Sequence, residues 1–352
     1  MYSFGYKVFY RLGQGYPMRV LRKILKWAGL VLLVLVVAGA IYQQIGLLLD
    51  DRLAPPSNDM IAVDGRAVHL VCEGAGPRTF VLDAGAGAGV FEWYRVQPLL
   101  AKAGRVCAFD RPGLGWSASV TGGYDGIVAG DHLAALVKAA HIATPFIYVG
   151  HSLGANFGEI YQARYPHAVA ALVLIEPGMP PDLLEDFHGT RSEAMEASDC
   201  DYTCYAAGLA TAVGVTRLAS LALGHKALDE RTRSIYQAYL TRPATLMTTL
   251  ASLGAATKTA YECMDVREFG KTPVLTFAST QTREPESNET IEDVKRWQVH
   301  QRAYLADLAA KSTRGGGLVI VPHSTHSSMV LGKEQAAFVV RAILAFVKHA
   351  GL

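Results

Sequence analysis

FIYVGHSLGANFGEIYQARYP, residues Phe146 to Pro166, is the stretch whose reading decides the fold. A short apolar run leads into Gly150-His151-Ser152-Leu153-Gly154, and a segment of helical character follows until Pro166 stops it. The pattern predicts a strand passing straight into a helix through a turn too tight for large side chains at its two flanking glycines. A serine at the apex of such a turn is held in a strained backbone conformation with its hydroxyl lifted off the sheet. The NH of the following residue, Leu153, is left to bind an oxyanion. A bare G-x-S-x-G arises by chance in a glycine-rich chain; the strand before it and the helix after it are what give it meaning.

Upstream of this turn, MIAVDG and RAVHLVCEG alternate apolar and polar residues around Asp64-Gly65, which predicts an antiparallel hairpin opening a sheet from Met60. TFVLDAG is a continuous apolar run of the kind buried on both faces. It ends in Asp83-Ala84-Gly85-Ala86-Gly87-Ala88-Gly89, whose value lies in its backbone: small residues let main-chain NH groups approach a ligand, and Ala86 is placed to offer a second oxyanion donor beside Leu153. These glycines match neither G-x-G-x-x-G nor a P-loop with its lysine, which argues against phosphate or a dinucleotide cofactor. VFEWYRVQPLLAKAG is helical in character, RVCAFD is strand-like and Arg111-Pro112-Gly113-Leu114-Gly115-Trp116-Ser117 is a loop. A helix over about Tyr124 to Ala140 and the strand ALVLIEP complete the alternation, which predicts a mostly parallel sheet with helices on both faces.

LDAGAGAG, AFDRPGLGWS, VGHSLG and ALVLIEPG, in this order and at these intervals, resemble the α/β-hydrolase superfamily over roughly Met60 to Leu352. The resemblance implies an eight-stranded, mostly parallel sheet, a serine nucleophile, a late histidine, an acid, and a variable cap inserted after the sixth strand. Residues 178–270 fit that cap, with helix-like runs at Thr203–Leu223, Ala227–Leu240 and Pro243–Met264. KTPVLTFAST then resumes the sheet, Ile291–Lys311 is amphipathic, GLVIVP is the last strand and Ala336–Lys348 the closing helix.

A serine hydroxyl needs a base within hydrogen-bond reach, itself oriented by an acid. His326 stands where the superfamily carries its histidine, in the loop after the last strand, with His323 the second choice; His151 cannot reach back to Ser152 in line. The superfamily's common place for the acid, the loop after the seventh strand, holds Glu284 and no aspartate. Some branches place it at the end of the sixth strand, where Glu176 stands, and Glu176 is preferred to Glu284. The expected activity is hydrolysis of a small-molecule carboxylic ester, apolar or lipid-like, through an acyl-enzyme. Dehalogenases and epoxide hydrolases of this superfamily attack with aspartate, so Ser152 argues against both. A carbon–carbon hydrolase or a perhydrolase would keep the same three residues, and a non-catalytic binding protein displayed on a membrane is the alternative from a different class.

The formal charge of +2 and the absence of a basic, aromatic-interleaved surface exclude nucleic acid as a partner. From Trp27 to Tyr42 the chain carries no charge, and after Gln43 and Gln44 it stays apolar to Leu49, so residues 27–49 can cross a bilayer with the glutamines near the far interface. Lys7, Arg11, Arg19, Arg22, Lys23 and Lys26 precede this span, which predicts a cytoplasmic segment 1–26, a linker over 50–59 and a catalytic domain over 60–352 outside, periplasmic or extracellular. A cleaved signal ending near Ala38-Gly39-Ala40 is the competing reading. Of the five cysteines, Cys200 with Cys204, or either with Cys263, is the expected disulfide. Cys72 and Cys107 read as small buried hydrophobes. No cysteine and histidine spacing matches a zinc site, so no metal is expected.

Overall fold

The computed structural model describes residues 18–53, 60–119, 124–178, 190–196, 200, 202–222, 229–280 and 290–352. After a long first helix, α1 (Met18–Leu53), the strands are β1 (Met60–Val63), β2 (Arg66–Glu73), β3 (Thr79–Asp83), β4 (Arg105–Phe109), β5 (Phe146–His151), β6 (Val169–Ile175), β7 (Val274–Ser279) and β8 (Gly316–Val321). They form one 8-stranded sheet in the order β1-β2-β4-β3-β5-β6-β7-β8. The β1–β2 and β2–β4 pairs are antiparallel and the remainder parallel. Every residue of β3, β5 and β7 is buried, as in a strand covered on both faces, whereas the edge strands β1 and β8 are partly exposed.

Successive side chains of a strand point to opposite faces, so the sheet builds two cores. Phe80, Leu82, Val149 and Val173 pack on one face with Trp93, Val339 and Ile343, beneath α2 (Gln97–Leu100) and the closing helix α12 (Lys333–His349). Val81, Tyr148, Leu172 and Leu174 pack on the other with Leu133, Tyr161 and Leu305, from α3 (Gly126–Ala139), α4 (Leu153–Arg164) and α11 (Ile291–Ala310). The helical run expected after the glycine-rich loop is a single 3₁₀ turn, Val90–Trp93, followed by α2.

The cap follows β6 and consists, among the described residues, of α5 (Arg191–Glu196), α6 (Tyr202–Ala212), α7 (Val215–Ala222), α8 (Glu230–Leu240), α9 (Pro243–Gly254) and α10 (Ala256–Met264). Two of the expected long helices are thus broken. Gly214 (φ 80°) turns the chain between α6 and α7, and Ala255 separates α9 from α10. Asp229 caps α8 by accepting from the Thr232 NH at 3.0 Å.

Two findings depart from the sequence reading. Cys72 and Cys107 are joined in a disulfide, because the register of β2 against β4 sets them directly opposite each other with Cα atoms 4.1 Å apart. Cys204 and Cys263 are buried free thiols, which removes all three pairings expected among the later cysteines. The first helix also runs beyond Leu49 through Asp50, Asp51 and Arg52 to Leu53. Its stripe Gly39, Gln43, Gly46 and Asp50 lies against the cap, so Gln43 is fully buried rather than facing a membrane interface. The Gln43 amide donates to the Thr241 carbonyl at 2.6 Å, and Arg217 donates to Gln43 Oε1 and both carboxylate oxygens of Asp50.

Glu159, buried on α4 under the Tyr304 hydroxyl, tests how tightly this core excludes water. Burial outweighs the Lys311 charge and the Tyr304 and Asn156 hydrogen bonds and pushes its carboxyl up to about 8, from 4.5. A carboxyl whose folded pKa is raised stays protonated in the fold after it would ionise in the unfolded chain, so stability falls as pH rises from about 4.5 to about 8. Glu159→Gln is therefore expected to match the parent protein near pH 4.5 and to melt a few degrees higher at pH 8, a widening gap that thermal unfolding across this range would measure.

Candidate functional site

The site gathers at the carboxyl ends of the parallel strands. Ser152 sits between β5 and α4 at φ 53°, ψ −124°, a conformation that non-glycine residues avoid. Its NH donates to the Ile175 carbonyl at 2.9 Å, which ties the bend to β6. The flanking glycines are obligatory: a Cβ at Gly150 would fall 2.5 Å from the Gly154 carbonyl oxygen, and one at Gly154 would fall 2.4 Å from that of Asp83. Leu153 is the first residue of α4, where backbone NH groups have no partner within the helix and carry its positive end.

The glycine-rich loop is aimed by Arg111, a residue of the loop after β4 that is 1% exposed. Its guanidinium donates to Asp83 Oδ1 at 2.6 Å, to the Ala84 carbonyl and to the Gly85 carbonyl at 2.5 Å. A trans peptide unit points its C=O and N–H in opposite directions. Holding the Ala84 carbonyl therefore turns the Gly85 NH the other way, where it donates to Glu92 Oε2 at 2.8 Å. Holding the Gly85 carbonyl likewise turns the Ala86 NH away from Arg111; Ala86 itself lines a cavity. The loop abuts the serine, since a Cβ at Gly85 would come within 3.3 Å of Ser152 Cβ.

His326 follows β8 in a turn closed by reciprocal bonds between Thr325 and Ser328, and its imidazole is about half exposed. Its Nδ1 lies 2.7 Å from Glu176 Oε2. Glu176 ends β6 at φ 47°, with Oε1 accepting from the Ser279 NH at 2.8 Å and from its hydroxyl at 2.7 Å. Burial alone would raise this carboxyl, but the hydrogen bond and charge of His326 and the two Ser279 donors hold it below the usual glutamate value. Glu176 is therefore ionised and paired. The other acid considered, Glu284, lies outside the described residues. His323 stands apart, exposed, with its carbonyl accepting from Gln335 at 2.9 Å.

Beside this pair is a second that the sequence reading missed. His151 Nδ1 is 3.0 Å from Glu92 Oε1, and His151 Nε2 is 3.2 Å from the His326 carbonyl. The two imidazoles lie 4.6 Å apart at 34°. Burial would depress His151, but the Glu92 charge and hydrogen bond, the Glu176 charge and the His326 carbonyl raise it above its ordinary value. Burial would likewise raise Glu92, and His151, the Gly85 NH and His326 bring it below. His151 thus has a partner at each ring nitrogen, the Glu92 carboxylate at Nδ1 and the His326 carbonyl at Nε2. The only sequence signal was a glutamate inside an otherwise apolar VFEWY run.

Between the glycine-rich loop, the turn that carries His326 and the cap is a cavity of about 940 Å³. Ala86, Gly87 and Glu92 line it from the sheet side, Thr325 and Ser327 from the histidine loop, and Tyr236, Leu240 and Leu246 from the cap. Among the described residues no cluster of histidine, cysteine and carboxylate side chains is arranged to hold a metal.

Residues 79–199 match the sequence profile of the alpha/beta hydrolase fold. The domain has the α/β-hydrolase fold. Two solved structures share it: the epoxide hydrolase CorEH, at TM-score 0.59 and 17% identity over 82% of this chain and 97% of that one, and a thermophilic esterase from Thermogutta terrifontis, at TM-score 0.53 and 16% identity over 83% and 97%. The uncharacterized protein C23C11.06c of Schizosaccharomyces pombe is 27% identical over 158 residues, 37% of this chain and 30% of that protein. The chain therefore spans less than a third of that relative's length. At these identities the solved structures establish the fold alone.

Loss of the Glu92 charge leaves His151 with burial as the dominant influence. Glu92→Gln is expected to move the His151 titration downward, below the ordinary histidine value of 6.5, as read from imidazole proton resonances. The paired form exists above the unfolded glutamate pKa and below the raised histidine pKa, so the variant's loss of stability, on the order of 3–5 kcal/mol, is expected to be greatest in that window.

Proposed function

We propose that this protein is a serine hydrolase that cleaves carboxylic esters of apolar or lipid-like acyl groups. Ser152 is the nucleophile, His326 the general base and Glu176 the acid that orients it; the NH groups of Ala86 and Leu153 bind the oxyanion. The observation that carries this reading is the 2.7 Å contact of His326 Nδ1 with the buried Glu176, on the same sheet edge as the strained Ser152. A carboxylate on Nδ1 fixes the tautomer that leaves Nε2 free to accept a proton.

In the proposed reaction His326 Nε2 takes the Ser152 proton as Oγ bonds to the ester carbonyl carbon. The carbonyl electrons collect on oxygen, where each backbone donor supplies about 3 kcal/mol of stabilisation. Collapse breaks the bond to the leaving alcohol, which departs with the proton from His326. Water, deprotonated by the same imidazole, then releases the acid and regenerates Ser152. A cavity of about 940 Å³ with tyrosine and leucine on its cap side suits a sizeable apolar substrate. The serine also favours this chemistry over epoxide opening, which on this fold uses aspartate. The basic residues before the apolar part of α1 favour a cytoplasmic N-terminus with the hydrolase domain on the opposite side of the membrane.

Ser152→Ala is expected to abolish both hydrolysis of short p-nitrophenyl esters and labelling by a fluorophosphonate; labelling that persists undiminished would end the reading. Glu176→Gln is expected to lower turnover by about 10³ to 10⁴ with little change in KM, and Glu284→Gln to leave turnover near that of the parent.

A further inference from the structure

Helix α1 is long and apolar enough to cross a membrane, yet its free part is short. The uncharged residues from Trp27 to Ala38, all exposed, number twelve and rise about 18 Å at ~1.5 Å each. A bilayer's hydrocarbon core is about 30 Å thick. Snorkelling by Lys23 and Lys26 recovers a few Å of the difference. The rest must come from residues at and beyond Gly39, where the helix is already seated on the cap: a Cβ at Gly39 would fall 2.3 Å from the Val213 carbonyl oxygen, and one at Gly214 would fall 3.2 Å from the Tyr42 ring. If α1 spans, the turn between α6 and α7 lies at hydrocarbon depth.

That part of the cap is composed for such a place. Leu209, Val215 and Leu218, on either side of the turn, are 67%, 53% and 58% exposed. Tyr202 and Tyr205 extend the exposed face of α6, as tyrosines do at a membrane interface. Across residues 202–220 the single charged side chain is Arg217, and it is turned inward onto Gln43 and Asp50. The turn satisfies its own backbone, with Val213 N donating to Leu209 O and Gly214 N to Thr211 O, as hydrocarbon demands. Ile41, Ile45 and Leu48 continue the exposed apolar surface along α1.

We propose that the outer layer of the cap, α6 and α7, is sunk into the leaflet that faces the hydrolase domain, continuous with the anchor helix and held at fixed depth by it. The occupant of this apolar face is the bilayer itself. The inner cap layer, α8 and α9, supplies Tyr236, Leu240 and Leu246 to the cavity and packs directly on α1 and α6. The cavity is therefore roofed by helices whose other side rests on the seated layer, an arrangement suited to esters that reside in the membrane. The inference rests on α1 spanning the bilayer and does not depend on the serine chemistry.

The full chain, reconstituted in phosphatidylcholine vesicles, tests it. Leu209→Trp and Leu218→Trp are each compared with the parent protein by difference fluorescence, with and without phosphatidylcholine brominated on the acyl chain. Val299→Trp serves as a control, since Val299 is equally exposed at 67% but lies on α11, which packs on β7 and β8. The two cap reporters are expected to emit blue-shifted light quenched by the brominated lipid, and the control to be quenched by iodide in the water instead. Cap reporters quenched by iodide, or shielded from lipid and iodide alike because a second copy covers the face, would overturn the proposal. The double variant Leu209→Asp/Leu218→Asp is expected to hydrolyse soluble p-nitrophenyl acetate like the parent while turnover of a vesicle-embedded ester falls about tenfold or more. Lipid quenching in a protein with no hydrolytic activity would uphold the seating and remove the esterase reading.

Discussion

The buried guanidinium of Arg111 is the interaction on which the rest of the site depends. A charge in the interior is tolerable only if it is paired, and Arg111 uses its two terminal nitrogens on Asp83 and on the carbonyls of Ala84 and Gly85. Peptide planarity carries that into the loop's backbone: with their carbonyls turned toward Arg111, the following NH groups face away from it, the first of them onto Glu92. Residues without bulky side chains are then needed in this loop, and the bend at Ser152 can approach it closely because Gly154 presents no Cβ to Asp83. The cation, the glycine-rich loop and the strained serine form one packing problem with few solutions.

A second polar knot joins the core to the cap. Asp110, fully buried, accepts from the Val90 NH at 2.9 Å and lies 2.8 Å from His69 Nδ1, while the Tyr239 hydroxyl of α8 donates to it. Three residues along, on the same helix end, Arg242 is paired with Asp51 of α1. The route from the end of α1 to the loop after β4 is thus a short run of polar contacts, exposed at the Arg242–Asp51 pair and buried around Asp110. Such networks specify one arrangement of helices more sharply than apolar contact does, since any other leaves a buried charge unpaired.

Much of the fold was legible because its signals are local. The Asp64-Gly65 hairpin, the all-apolar strands and the glycines around Ser152 each state a backbone requirement within a few residues. Glu176 could be proposed because it stands at the end of the sixth apolar strand, where some branches of the resembled superfamily carry their acid; that it meets His326 and Ser279 was a matter of three-dimensional placement. What escaped were pairings between distant residues. Cys72 and Cys107 look like buried hydrophobes until the register of two strands sets them face to face. Glu92 and His151, and Gln43 with Thr241, are ordinary polar residues until packing removes water from both at once.

The sequence by itself determined the order of strands and helices, the sharp bend at Ser152, the side-chain-free loop ahead of it and a helix apolar enough for a membrane. Each is written in short-range steric or hydropathic terms that hold wherever the segment is placed. Only the tertiary structure decided that Glu176 meets His326, that the Gly85 NH meets Glu92, which cysteines meet, and that the first helix is bound along its last turns to the cap. Those depend on contacts between residues as much as 198 positions apart, as Gln43 and Thr241 are. Such contacts come into being only when the apolar surfaces of the whole chain are buried together.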